Sequence, residues 1–496
     1  MTNLSWQHSY AKLGAPYVAQ ADPEPATRPS WLAWNESLAE SLGLPQTWRH
    51  SEIALEALAG NSLLDGSEPI ATVYAGHQFG QYNPQLGDGR AILLGEWEKP
   101  GGDIVDIQLK GAGQTPYSRG GDGRSPVGPV VREYLLSEAM HALGVPTTRA
   151  LAAVATGDKV YRNSVEPGAV LTRVASSHLR VGSLQYFAMT QGGDGLGEVV
   201  NYIVRRHYPE FIEALDENTP ATRAQVLLEQ VTRRIAALVA HWQSLGFIHG
   251  VMNTDNMLLC GETVDYGPCA FMDEFDNDAV FSAIDTQGRY RYANQPGVAH
   301  WNMSVFASCL LPILHENQDQ SVAIAQAVVD EFPRWYTEAY QARLALKFGL
   351  DAFRPDDQAL IDDFYKTLCN DRLDYTLAHR WLTEVATQST HQSPIESLFN
   401  ASEGLTDWLQ EWQHRREKNR ADTAESLRAM QRANPVVIPR NHQVARAIAA
   451  AENGDNTPLL ACYERWQTPF DWQTDDSDWA AGPSDQERIT RTFCGT

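Results

Sequence analysis

Leu228, Val231, Ile235, Leu238, Trp242 and Leu245 recur at steps of three and four. That spacing puts apolar side chains on one side of an α-helix. The helix, over about residues 221–245, must bury its stripe against other elements. It runs without a linker into FIHGVMNTDNMLL, so whatever packs on the helix also fixes that polar loop. The chain before it reads differently. ATVYAG, AILLGEWE and DIVDIQLK are β-like runs separated by Gly, Pro and Asp. A helix is predicted from about Pro129 to Leu143, with proline in its first turn and Gly144 at its end. Two more strands are predicted at RALAAVAT and GAVLTRVA, and a short helix at WLAWNESLAESLGL, closing near Gly43 and Pro45. From about Gly195 the pattern turns helical, and 300–450 is mostly helix.

The order predicts an α+β chain: a β-rich lobe carrying one helix, then a larger helical lobe. With 496 residues the chain exceeds the roughly 250–300 at which single cores stop growing. Residues 1–65 read as an N-terminal extension packing on the core and 66–190 as the β-rich lobe. Residues 191–300 hold the polar loops, 301–466 the remaining helices, and 467–496 a flexible tail rich in Asp, Trp and Ser. No internal repeat is visible.

Charge narrows the partners. The 39 Lys+Arg against 62 Asp+Glu leave a net charge of −23. That balance argues against a nucleic-acid groove or an anionic membrane. A few well-placed cations can still hold a nucleotide. No apolar run approaches the roughly 18 residues of a membrane span, and MTNLSWQHSYAKLG has no apolar core after a basic end. The six cysteines show no CxxC pairing, so neither a disulfide framework nor a zinc knuckle is expected. A cytoplasmic, reducing home follows, and the acidic surface leans toward a monomer.

Four groups of residues carry candidate chemistry. Asp255 and Asn256 are followed nine residues after Asn256 by Asp265 in VDYG. An Asn and an Asp brought together by a hairpin give two oxygen ligands for Mg²⁺, which completes its shell with water and phosphate oxygens. A second acid beside them can accept a proton from a hydroxyl; the bland alternative is a polar turn. Lys110 ends DIVDIQLK ahead of a Gly-rich stretch, where a Lys suits a phosphate. Glu133 on the next helix could hold it, and Glu138 is a rival that helical periodicity does not exclude. Two Gly-rich loops carry Gly87, Gly89 and Arg90, and Gly120, Gly121, Asp122 and Gly123. Neither loop is a P-loop or a Rossmann turn, so ordinary turns compete with backbone cradling of phosphate. Arg173 and Arg180 in LTRVASSHLRVGS could fork a polyphosphate, or lie on the surface.

In chain order, a strand Lys, a helix Glu, H-x-x-x-x-x-D-N and D-Y-G resemble the protein kinase pattern. One departure matters. The kinase catalytic Asp stands two residues after His, and here that position is Val251. Asp255 is the remaining candidate base. YAGHQFGQYNPQLGDGRA, IQLKGAGQTPYSRGGDGR, HGVMNTDNM, VDYGP and NPVVIPRNH then resemble the selenoprotein O family, protein adenylyltransferases on a pseudokinase fold. The resemblance covers nearly the whole chain.

The resemblance implies a kinase-like bilobal fold and ATP bound in a flipped orientation. The α-phosphate then faces a Ser, Thr or Tyr hydroxyl of a protein substrate, and pyrophosphate leaves. It implies that Lys110, Arg173 and Arg180 hold phosphates and that Gly87, Gly89, Arg90, Asp122 and Gly123 line the nucleotide site. Glu133 would support Lys110, Asn256 and Asp265 would hold Mg²⁺, and Asp255 would accept the proton. Related activity with UTP and Mn²⁺ belongs to the same expectation, and the sequence does not choose between bases. Cys494, third from the C-terminus, stands where family members carry Cys or selenocysteine. It is either structurally idle or redox-sensitive, with Cys269, four residues past Asp265, the candidate partner. A phosphotransferase and a non-catalytic nucleotide-binding scaffold remain as alternatives.

Overall fold

The computed structural model describes residues 6–215, 217–387, 403–418, 424–473 and 476–493. The first half is built on one antiparallel sheet. Its strands are β1 (Trp6–Gln7), β2 (Val18–Gln20), β3 (Ser30–Trp34), β4 (Ile70–Thr72), β7 (Ala91–Glu98), β8 (Ile104–Lys110), β9 (Ser125–Pro126), β10 (Arg149–Tyr161) and β11 (Val165–Ala175). A separate hairpin joins β5 (Gly76–Gln78) to β6 (Gln81–Asn83). The main order is β2-β4-β7-β8-β11-β10-β3, with β1 on β7 and β9 on β11.

Strand periodicity explains how this sheet is used. On β8, Ile107 and Leu109 point to one face. There they join Val170, Val174, Leu94 and Trp97 in a core roofed by Leu38 and Leu58. Those two come from helices α1 (Glu36–Ser41) and α2 (Glu52–Ala59). Gln108 and Lys110 point to the other face. They lie opposite Arg173 and Leu171 on β11, beneath helix α3 (Val127–Ala142).

The first 65 residues are therefore more than an extension packed on the core. They supply three strands to the sheet and the helices covering its outer face. WLAW, expected to be helical, is β3 paired with β10. Trp31 and Trp34 on it pack edge to face at 5.4 Å, and a bulky aromatic run suits a pleated surface. The helix begins only after Asn35, whose side chain caps the Leu38 amide.

The second half is helical, starting at α4 (Val181–Thr190) rather than near Gly195. Helix α5 spans Gly192–His207, α6 Pro209–Glu213 and α7 Pro220–Leu245. Thr219 and Thr222 form a reciprocal cap at the start of α7, and left-handed Gly246 ends it. Leu228, Val231, Ile235, Leu238, Trp242 and Leu245 are all buried. Each such side chain contributes roughly 1.5–3 kcal/mol of burial, so the stripe fixes α7 as the spine of this lobe. Helix α8 (Gln295–Leu314), with its lead-in from Tyr292, is long and apolar enough to cross a membrane, a stretch missed by reading for runs. It packs on α7, α4 and α5; Met303, Phe306 and Leu310 are buried in the shared core. The arrangement is the kinase-like pair of lobes, β-rich then helical.

Among the described residues after 466 the chain is anchored, contrary to the expected flexible tail. Arg465 makes a buried ion pair with Asp476 at 2.5 Å, and Trp472 donates to Glu384 at 2.8 Å. The Thr492 amide donates to Phe281 O at 2.7 Å. Cys494 lies outside the described residues. The NPVVIPRNH motif also gains a physical role. Arg440, fully buried, pairs with Asp273 at 2.5 Å and Asp374 at 2.8 Å and donates twice to Ala480 O. Removing one partner of a buried ion group leaves uncompensated charge, at a cost of about 3–5 kcal/mol. Arg440→Met should therefore lower the unfolding free energy from chemical denaturation by an amount in that range, seen as a lower midpoint. A midpoint unchanged from wild type would rule out this role.

Candidate functional site

Between the lobes lies a cleft of about 850 Å³, within the range of small-molecule sites. Its lining includes Gly87, Gly89, Arg90, Lys110, Asp122, Gly123, Arg173, Arg180, Val251, Asp255, Asn256 and Asp265. Residues separated by more than 170 positions are thus brought to one surface.

Glu133 stands behind the cleft and organises its upper wall. Its carboxylate pairs with Lys110 at 2.5 Å and with Arg173. Burial alone would raise its pKa, but the Arg173 and Lys110 charges hold it below the usual range. The rival Glu138 is spoken for: it is buried and pairs with Arg149 at 2.7 Å. About 1.4 helical turns separate the two acids, and helical periodicity alone does not tell which faces Lys110.

The lower wall is the loop after α7. His249 is buried and bridges the hairpin. Its Nε2 bonds Val264 O at 2.9 Å, and its Nδ1 accepts from the Val251 amide at 3.3 Å. Asn256 Nδ2 donates to Val251 O at 3.0 Å and to Asp265 at 3.4 Å. Asp265 has φ +67°, a left-handed backbone that L-residues rarely adopt and that clusters at functional sites. It lies 3.7 Å from Lys110. Burial would raise its pKa, yet Lys110, Arg90 and Arg173 hold the carboxyl well below the usual range. Asn256 and ionised Asp265 are two adjacent oxygen donors open to the cleft. That donor set fits Mg²⁺, which needs only one or two protein oxygens beside phosphates and water. No cluster of three His, Cys, Asp or Glu suited to a metal occurs among the described residues.

Asp255 sits differently. One oxygen accepts from Gln78 Nε2 at 3.2 Å, and the other is buried without a hydrogen-bond partner. Burial, opposed by Arg180, pushes this carboxyl up to about 6. Arg180 ties the two walls together. It donates to Asp255 O at 3.0 Å, pairs with Asp88 at 3.1 Å, and lies 4.4 Å over the Tyr74 ring.

The Gly-rich loops form the rim. Gly87 has φ +147°, and a Cβ there would strike the Tyr117 ring; Gly123, at φ +65°, has the backbone of Gly113 against it. Asp122 is held by both guanidinium nitrogens of Arg162 at 2.8 Å. Sequence reading missed Asp88, Gln78 and Asn253. Asp88 and Gln78 sit in the same YAGHQFGQYNPQLGDGRA stretch as Gly87, but nothing in their spacing marks them. Asn253 lies in the polar loop itself and accepts from the Phe79 amide and the Tyr290 hydroxyl.

Arg132, the neighbour of Glu133, was also missed. It is buried on α3 and donates to Tyr266 O at 3.1 Å, to Gly267 O at 2.7 Å and to Cys269 O. It thereby locks the helix carrying Glu133 to the segment following Asp265.

Comparison with known proteins places the chain in a family. The family profile described as protein adenylyltransferase SelO matches residues 1–467. The chain is 46 % identical over 495 residues to a protein nucleotidyltransferase YdiU of Anoxybacillus flavithermus, covering 100 % of this chain and 99 % of that one. A protein of the same description from Geobacillus kaustophilus is 46 % identical over 492 residues, 99 % of each. One from Maridesulfovibrio salexigens is 44 % identical over 494 residues, 99 % of this chain and 98 % of the other.

The Arg132 clamp has a local signature. Arg132→Met keeps the apolar stem and removes the donors to three carbonyls. Amide exchange over 265–271 should then accelerate at least about ten-fold, while the β10–β11 ladder stays protected. Unchanged exchange over 265–271 would show that the segment is held by other means.

Proposed function

The chain belongs to the protein adenylyltransferase SelO family, and on that premise we propose that Lys110, Arg173 and Arg180 hold the phosphates of ATP while Asp255 receives the proton of a protein hydroxyl. The enzyme is a protein nucleotidyltransferase. AMP passes to a Ser, Thr or Tyr oxygen, the bond from the α-phosphorus to the bridging oxygen breaks, and pyrophosphate leaves. Asn256 and Asp265 would hold Mg²⁺, which supplies charge neutralisation on the phosphate oxygens. Lys110 is aimed by Glu133, so its charge is fixed before the nucleotide arrives. Such preorganisation costs no rearrangement during reaction.

One observation carries the assignment of the base. Four aspartates line the cleft: Asp88, Asp122, Asp255 and Asp265. Asp88 is satisfied by Arg180 and Thr72. Asp122 is satisfied by Arg162, and Asp265 faces Lys110 and the Asn256 amide. Asp255 alone keeps a buried oxygen with no partner. The position a kinase gives to its acid is filled by apolar Val251. A carboxylate with a free lone pair and a raised pKa suits proton acceptance from a weakly acidic hydroxyl.

The position of the label decides the reaction. Label from α-labelled ATP should appear on protein, and label from γ-labelled ATP should not. The reverse would make the enzyme a kinase; labelled UTP with Mn²⁺ in the same assay reads out a second donor. Asp255→Ala should lower turnover by about 10²–10⁴-fold, the usual contribution of a general base, and leave ATP binding measurable by calorimetry. Full activity would remove Asp255 from the mechanism. Asp265→Ala should abolish metal-dependent turnover, and wild-type metal affinity in that variant would refute its role as ligand.

A further inference from the structure

The hairpin β5–β6 touches the catalytic loop at three consecutive residues. The His77 amide donates to Thr254 at 2.7 Å, Gln78 to Asp255 at 3.2 Å, and the Phe79 amide to Asn253 at 3.1 Å. Its other side carries a ring cluster outside the nucleotide cleft. His77 packs on Tyr82 at 5.0 Å and on Trp301 of α8 at 5.2 Å. Tyr82 also meets Met189 of α4. Trp301 is 36 % exposed, Tyr82 37 % and Met189 64 %. Three large apolar side chains thus share one open patch beside Asp255.

The patch has a charge. Arg289 lies 4.9 Å over the Trp301 ring and against Gly80 of the hairpin. It makes no ion pair among the described residues, and its Nε is buried without a hydrogen-bond partner. In a chain of net charge −23, a half-buried cation with no acid is a signal. It is stacked on Trp301 and also contacts Tyr290, and no carboxylate among the described residues forms an ion pair with it.

We propose that this patch docks the acceptor segment of the protein substrate, and that the segment carries an acidic residue near the modified hydroxyl. Apolar parts of the segment lie on Trp301, Tyr82 and Met189, and its carboxylate reaches Arg289. The hydroxyl then enters beside Gln78 and faces Asp255. The occupant is fixed by two observations: the patch is continuous with the residue that must meet a protein hydroxyl, and its unpaired charge is positive. The inference rests on the transfer reading given above, since a protein acceptor is its premise. It makes Arg289 and Trp301 determinants of acceptor choice, with no part in holding ATP.

The test uses the full-length enzyme, α-labelled ATP and two matched sets of serine peptides. The sets carry Glu or Lys at positions flanking the serine, with Leu or Phe elsewhere. Wild type should label the Glu set with a kcat/KM about ten-fold above the Lys set, lost at high salt, as expected of a charge at an interface rim. Arg289→Glu should abolish or invert that preference while ATP affinity by calorimetry stays within about two-fold. Trp301→Ala should lower kcat/KM for both sets through KM. Arg289→Gln provides a neutral variant if charge reversal unfolds the loop. Equal labelling of both sets by wild type, or a preference that survives Arg289→Glu, overturns the docking site and leaves AMP transfer standing. Labelling only from γ-labelled ATP overturns the transfer reading itself.

Discussion

The carboxylate of Glu133 is the interaction on which the rest of the site depends. It is buried and serves two cations on two strands, Lys110 from β8 and Arg173 from β11. Alone, any one of these charges would cost several kcal/mol to bury. Together they are nearly neutral in pairs, with one positive charge in excess, and that excess is what the cleft presents. Asp265 answers part of it at 3.7 Å from Lys110. The helix carrying Glu133 is held in turn by Arg132, which grips the carbonyls after Asp265. Upper wall, helix and the loop of Asp265 are therefore one mechanical unit. A displacement of α3 would uncouple Lys110 and loosen Asp265 together.

This arrangement explains how an acidic protein can handle a polyphosphate. The negative charge is spread over the surface, while Arg90, Lys110, Arg173 and Arg180 converge on one recess. A cleft with low-dielectric walls focuses the field of such a cluster. Three of these cations are also oriented by an acid: Lys110 and Arg173 by Glu133, Arg180 by Asp88. Glu133 pins its two cations from behind the cleft, and Asp88 pins Arg180 from the cleft lining.

Much of this was legible in the sequence, for identifiable reasons. The stripe of α7 gave the spine of the helical lobe because a period of 3.6 over seven turns admits no other reading. Lys110 at a strand end and the Asn256–Asp265 spacing pointed to one site because chemistry requires those residue types close together. Glu133 against Glu138 was not legible, since both lie on the inner face of one helix and only the register of Arg149 separates them. The strand at Trp31 and Trp34 was missed because its partner β10 lies more than a hundred residues away. Gln78 acts on the Asp255 carboxylate, Asp88 on the Arg180 guanidinium and Arg132 on the carbonyls after Asp265, all distant contacts that no local pattern records.

The replacement at Val251 then becomes intelligible as a change of geometry. His249 still braces the loop through Val264 O, so the scaffold of the kinase-like turn persists without its acid. The proposed proton acceptor, Asp255, stands four residues on, and there it is covered by the β5–β6 hairpin rather than open to solvent. Gln78 is bonded to it, and the Gly76 backbone lies so close that a Cβ at Gly76 would meet Asp255 Oδ1 at 2.5 Å. A larger residue at position 76 would push the hairpin off the acid. The same hairpin that desolvates Asp255 also builds the outer patch with Trp301. On the proposed reading, the basicity of Asp255 and the surface met by an acceptor are both set by this one short element, whose Gln78 also lines the cleft.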